Sequence, residues 1–142
     1  MRNIIKLISI SILMITTFML FCCEDSIGPG NCPNHVDVMA QIVEQPIFSW
    51  SPPCEADVII VYYNGVSSTG INVLNPVWSL DGNEKGISSP ITYGISPDGV
   101  TETISAIQLI EGEKYTIKVI RNIEGISPYD YIGQLDFLYI PE

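Results

Sequence analysis

Residues 109–119 read LIEGEKYTIKV, and the second half of this stretch alternates. Tyr115, Ile117 and Val119 fall on one side, Thr116 and Lys118 on the other. Successive side chains of a strand point to opposite faces, so the alternation predicts a strand with one buried face. The same period recurs along the chain. Residues 36–43 set Val36, Val38, Ala40 and Ile42 against Asp37, Met39 and Gln41, and Gln45-Pro46 ends the run. Phe48 and Trp50 share a face opposite Ser49 and Ser51, until Pro52-Pro53 removes the donors a ladder needs. Residues 58–63 are β-branched and aromatic, which predicts a strand covered on both sides or nearly so. Asn64-Gly65 is a hairpin signal. Short strands are predicted at 77–80 and 91–95, separated by the turn 81–86 (DGNEKG) and followed by a turn at 96–99 (SPDG) with proline at its second position. Residues 101–109 lead into the Glu111-Gly112-Glu113 turn, and a last strand covers 134–140. Strands at short intervals, Gly and Pro between them and no helical period after residue 23 predict an all-β sandwich of seven antiparallel strands.

Two separated stretches carry a family resemblance. Leu109, Gly112 and Tyr115 stand three residues apart ahead of an alternating strand. This resembles the corner of fibronectin type III and immunoglobulin-like sandwiches, where a tyrosine hydroxyl folds back to bond upstream backbone. Pro46, Trp50 and Pro53 ahead of a hydrophobic strand resemble the second and third strands of fibronectin type III domains. The resemblance implies that Trp50 is a core tryptophan with Tyr62 or Tyr63 as companion. Residues 77–99 (VWSL…ISSPITYGISPDG) are also similar to small bacterial lipoproteins of this sandwich type, and bring no catalytic residue with them.

The N-terminus changes the picture of where the domain works. Arg2 and Lys6 precede residues 7–20, which are apolar but for serines and threonines. Fourteen residues fall short of the roughly 20 that span a bilayer as a helix, so the run reads as an export signal. It ends in Leu20-Phe21-Cys22-Cys23, which resembles the lipobox of bacterial lipoproteins. With Cys23 as the lipidated residue, the resemblance implies a signal peptide with its helix over 1–22, a flexible tether over 23–34 and a sandwich over 35–142, held to a membrane of the bacterial cell envelope. The plain alternative is a secreted protein with an incidental cysteine pair. Cys32 and Cys54 then remain in an oxidising compartment, where a disulfide between them is expected. Closing a loop of that size stabilises by about 3 kcal/mol in the chain-entropy model.

The chain carries 46% hydrophobic residues, ample for a core. All 16 acidic residues but only four of the six basic ones lie beyond Cys23, giving that part a side-chain charge of −12. Such a charge disfavours nucleic acid and adhesion to anionic lipid, so the membrane contact falls to acyl chains. Catalytic and phosphate-binding signatures are absent from the sequence. His35, the one histidine, stands in the tether region and reads as an exposed loop residue. Glu111 and Glu113 flank a turn and read as solvated. Asp81, Asn83 and Gly86 match three positions of a calcium loop, but Lys85 and Thr92 stand where ligands are needed. No metal or other cofactor is implied.

A non-catalytic role in protein binding or scaffolding is therefore expected, with carbohydrate binding as the alternative. The candidate surfaces are the loop 122–133, with Tyr129, Asp130 and Tyr131, and the final strand, where Leu138 and Ile140 face the side on which water is expected. In the carbohydrate reading Trp78, Tyr129 and Tyr131 are the stacking aromatics. Gly125 and Gly133 bracket the aromatic loop, and a tether joining at the opposite pole would turn it away from the membrane. The plain alternative for both surfaces is core packing.

Overall fold

A computed structural model describes residues 33–66, 70, 72–121 and 131–142. The signal segment, Cys23 and Cys32 lie outside the described residues, as do Tyr129 and Asp130. The described part is all-β, with eight strands: β1 (Asp37–Gln41), β2 (Ile47–Ser51), β3 (Val58–Val66), β4 (Asn72–Asp81), β5 (Ile91–Thr92), β6 (Thr101–Ile104), β7 (Lys114–Ile120) and β8 (Tyr131–Leu138). They form two antiparallel sheets, β1-β2-β5 and β6-β4-β3-β7-β8. The count exceeds the expected seven because residues 101–104, read as a lead-in to the corner, pair with β4 as a strand of their own.

The predicted inward positions are the ones that meet. Val38 lies opposite Trp50 and Ala40 opposite Phe48 in the smaller sheet. In the larger sheet Ile59 lies opposite Val119 and Val61 opposite Ile117, all four fully buried. Aromatic rings join the layers: Phe48 is 5.4 Å from Phe137, Phe137 is 5.7 Å from Tyr115, and Tyr115 is 5.6 Å from Tyr63. Trp50 is buried and its Nε1 donates to the Cys54 carbonyl at 2.8 Å.

The fold-back bond expected at Tyr115 is present. Its side chain is 2% exposed, and its hydroxyl accepts the Ile110 N–H at 2.9 Å. The same turn is tied to the end of the chain. Gly112 N–H donates to the Tyr139 carbonyl at 2.8 Å and Tyr139 N–H to the Glu113 carbonyl at 3.0 Å. The Tyr139 hydroxyl continues to the Glu44 carbonyl at 2.9 Å, beside the β1–β2 connection.

Several local expectations are corrected. Asn64-Gly65 is not the hairpin turn, since pairing runs on through Gly65↔Val73 and Val66↔Asn72. A Cβ at Gly65 would lie 2.8 Å from the Tyr63 ring, so the glycine leaves room for that ring within a strand. The turn at 81–86 is real but closes no hairpin, because β4 pairs with β3 and β6 while the chain crosses to β5 in the other sheet. The strand expected over 91–95 ends at Thr92, where Ile95 N–H bonds back to the Thr92 carbonyl. The next turn is displaced by one residue, with Val100 N–H on the Pro97 carbonyl and proline at the first position.

Gly133 stands inside β8 instead of hinging a loop. Val36 N–H donates to the Ile132 carbonyl at 2.8 Å, and a Cβ at Gly133 would lie 2.6 Å from Val36 Cγ2 and 2.9 Å from the Val36 carbonyl. Only glycine lets the two backbones approach this closely. The first described residues thus lie beside the start of β8 and the end of β7, and not at the opposite pole.

Replacing Tyr115 with Phe keeps the ring and deletes the bond to Ile110. The expected cost is about 1 to 2 kcal/mol, the value of a partly buried hydrogen bond. Urea denaturation should show a lower midpoint at unchanged slope, and an unshifted midpoint would remove the hydroxyl from the account of stability.

Candidate functional site

The larger sheet turns one face to the core and one outward. On the outward face β3, β7 and β8 lie side by side, and side chains of the three strands form two adjacent diagonal rows, the strand pairing itself setting Tyr62 opposite Thr116 and Lys118 opposite Gln134. The upper row is Tyr62, Lys118 and Tyr131. Lys118 Nζ lies 5.7 Å from the Tyr62 ring centre and 4.7 Å from that of Tyr131. An ammonium over aromatic faces is held by the ring quadrupoles. No carboxylate comes within 4.0 Å of Lys118 or Lys114 among the described residues. Partial burial pushes the Tyr62 phenol above its ordinary pKa.

The lower row is Asn64, Thr116 and Asp136. Thr116 is the buried centre. Its Oγ1 lies 2.6 Å from Asp136 Oδ1 and 2.8 Å from Asn64 Nδ2. A hydroxyl has one proton to give, and the charged carboxylate is the stronger acceptor. Thr116 therefore donates to Asp136 and accepts from Asn64 Nδ2, with Asn64 Oδ1 3.0 Å from the same hydroxyl, and so holds both side chains in place. Asp136 Oδ2 is left without a protein hydrogen bond among the described residues. Beside this row a cleft of about 220 Å³ is lined by Asn64, Lys114, Asp136, Phe137 and Leu138.

The sequence-derived candidates are distributed differently from expectation. Tyr131 belongs to this face as the first residue of β8, 46% exposed, and not to a loop. Trp78 is 0% exposed and is no stacking platform. It lies opposite Val61 on the core face, its Nε1 donates to Glu102 Oε1 at 3.0 Å, and its ring is 5.1 Å from Tyr93. Leu138 and Ile140 are exposed as expected, 44% and 51%. They lie at the end of an edge strand whose other end meets Val36. Sequence reasoning missed Tyr62, Asn64, Thr116, Lys118 and Asp136. The available signal was that three predicted strands carry polar or aromatic residues at outward positions.

Other sites hold less. In the 81–86 turn the Asp81 carboxylate accepts Asn83 N–H at 2.8 Å, and Asn83 Nδ2 donates to Thr101 Oγ1 at 3.0 Å. Three potential metal ligands do not gather anywhere among the described residues. His35 is exposed, with Nε2 3.6 Å from Asp37 Oδ1. At the end of the sandwich away from Val36, a cavity of about 340 Å³ is bordered by Glu44, Tyr93, Ile107 and Tyr139. Its phenols are already engaged: Tyr93 donates to the Ile107 carbonyl at 2.8 Å and Tyr139 to that of Glu44. Compared with models of protein families, with curated proteins and with solved structures, the chain matches none.

Burial pushes the Tyr93 phenol up to about 12. An unfolded tyrosine ionises near pH ~10, so the folded state holds this proton more tightly. The stabilisation is whole below about pH 10 and is lost as pH rises toward about 12. Tyr93→Phe should flatten that alkaline fall by up to one proton, read from urea midpoints across this range. Equal slopes in both proteins would assign the fall to other groups.

Proposed function

We propose that this chain is a lipid-anchored protein of a bacterial cell envelope whose fibronectin type III-like sandwich binds or scaffolds and does not catalyse. The anchor is Cys23, at the end of the apolar run of residues 7–20. Support for the family reading comes from strand order. Without β6 the sheets read β1-β2-β5 and β4-β3-β7-β8, the division of a seven-strand sandwich with the third and sixth strands adjacent. The Tyr115 bond and the buried Trp50 point the same way. A Cys32–Cys54 bridge belongs to the proposal and is supported at one end, where Cys54 is buried.

The observation that carries a binding role is the outward face of β3, β7 and β8. Its polar and aromatic side chains are fixed by one another and stand clear of the core. A protein partner would dock along the open β8 edge, where Leu138 and Ile140 are exposed. A glycan partner would use the two rows, with Tyr62 and Tyr131 in place of the buried Trp78.

Cys23→Ser should move the protein from the detergent phase to the aqueous phase when cells are partitioned. Wild-type and variant in the same phase would defeat the anchor. Peptide mapping without reduction should recover the segments holding Cys32 and Cys54 as one linked species. Both thiols alkylating freely would exclude the bridge.

A further inference from the structure

We infer that the outward face of β3, β7 and β8 is a binding site for an uncharged glycan. The inference rests on the reading of the domain as a binding module and names the ligand class of its site. Three properties select that class. First, the two rows join an aromatic surface to a hydrogen-bonding one. A sugar ring has an apolar C–H face and a rim of hydroxyls, each of which can both donate and accept. Tyr131 offers ring surface, Asp136 Oδ2 an open acceptor, and Asn64 an amide that Thr116 holds in place. The cleft beside Asn64 and Asp136 gives a hydroxyl-bearing group a place to enter.

Second, the face is poorly suited to the centre of a protein interface. Such centres are depleted of charge, whereas this one carries Lys118, Asp136 and Lys114 beside its two tyrosines and Leu138. Third, charge selects a neutral ligand. The chain beyond Cys23 has a side-chain charge of −12, which repels polyanions at a distance. Of the two cations on the face, Lys118 is engaged by two rings, and Lys114 lines the same cleft as the Asp136 carboxylate. Preorganisation helps in the usual way, because the polar groups are already oriented before the ligand arrives.

The test is affinity electrophoresis of the detergent-solubilised full chain through gels containing β-glucan, xylan, mannan or starch, with alginate as the polyanion. At least one neutral polymer should retard the protein. Tyr131→Ala and Asp136→Ala should each weaken retardation about tenfold or more, and Thr116→Val, which releases the two groups it holds, several-fold. Tyr131→Phe should retain binding, which separates ring stacking from loss of fold. Met39→Ala, on the exposed side of the smaller sheet, should change nothing. No retardation by any neutral polymer, retardation by alginate alone, or retardation equal in wild type, Tyr131→Ala and Asp136→Ala would overturn the inference. Detergent partitioning of the same proteins tells the two failures apart. A chain that is anchored but unretarded loses its ligand class and remains an envelope module, whereas a chain that is retarded but not anchored keeps its ligand class and loses the envelope anchor.

Discussion

The two sheets are held in register by a line of aromatic rings that crosses between them. Phe48 from the smaller sheet meets Phe137, Phe137 meets Tyr115, and Tyr115 meets Tyr63. Rings of this size bury large areas and prefer tilted or offset contact, so they fix orientation as well as separation. Tyr115 is the member that cannot drift. Its ring is packed on both sides and its hydroxyl is bonded to backbone five residues upstream. The turn it closes is joined in its own right to Tyr139 and, through that residue, to Glu44. Tyr115, the turn and Tyr139 together couple β7, the end of the β8 segment and the first inter-strand connection.

That coupling has a consequence on the other side of the strand. β7 lies between β3 and β8, and its inward residues Tyr115, Ile117 and Val119 are locked in the core. The outward residues of the same strand, Thr116 and Lys118, inherit the rigidity. A site built on strands is held more tightly than one on loops. Thr116 then passes the order sideways to Asn64 and Asp136, and Lys118 to Tyr62 and Tyr131. Core packing and the proposed recognition face are two sides of one element.

The edge of the larger sheet is managed unequally. At the start of β8 the edge is covered, because Val36 bonds to Ile132 and packs against Gly133. Beyond that point the strand is open toward Leu138. The close approach also sets geometry at the level of the whole module. It brings Val36, just ahead of β1, next to the start of β8, and the cavity bordered by Tyr93 and Tyr139 lies at the other end.

Much of the fold was legible in the sequence because it depends on local periodicity. The period-2 pattern identifies Val38, Phe48, Trp50, Tyr115, Ile117 and Val119 as inward, and the Tyr115 bond spans only five residues, so its parts are visible in one short stretch. What the sequence could not reveal depends on which strands become neighbours. Trp78 turns inward because it faces Val61 across a pairing irregularity, and no pattern within 77–80 distinguishes its two possible sides. Asn64-Gly65 has the composition of a turn, yet cross-strand pairing with Leu74 and Val73 carries it on as strand. Residues 101–104 gain strand character from β4 alone. The two rows of the outward face draw on positions 62, 118 and 131 and on 64, 116 and 136, distant in the chain and adjacent only once β3, β7 and β8 pair. Alternation along a strand is a property of its own backbone, whereas adjacency between strands is decided by the sheet, and it is adjacency that makes the site.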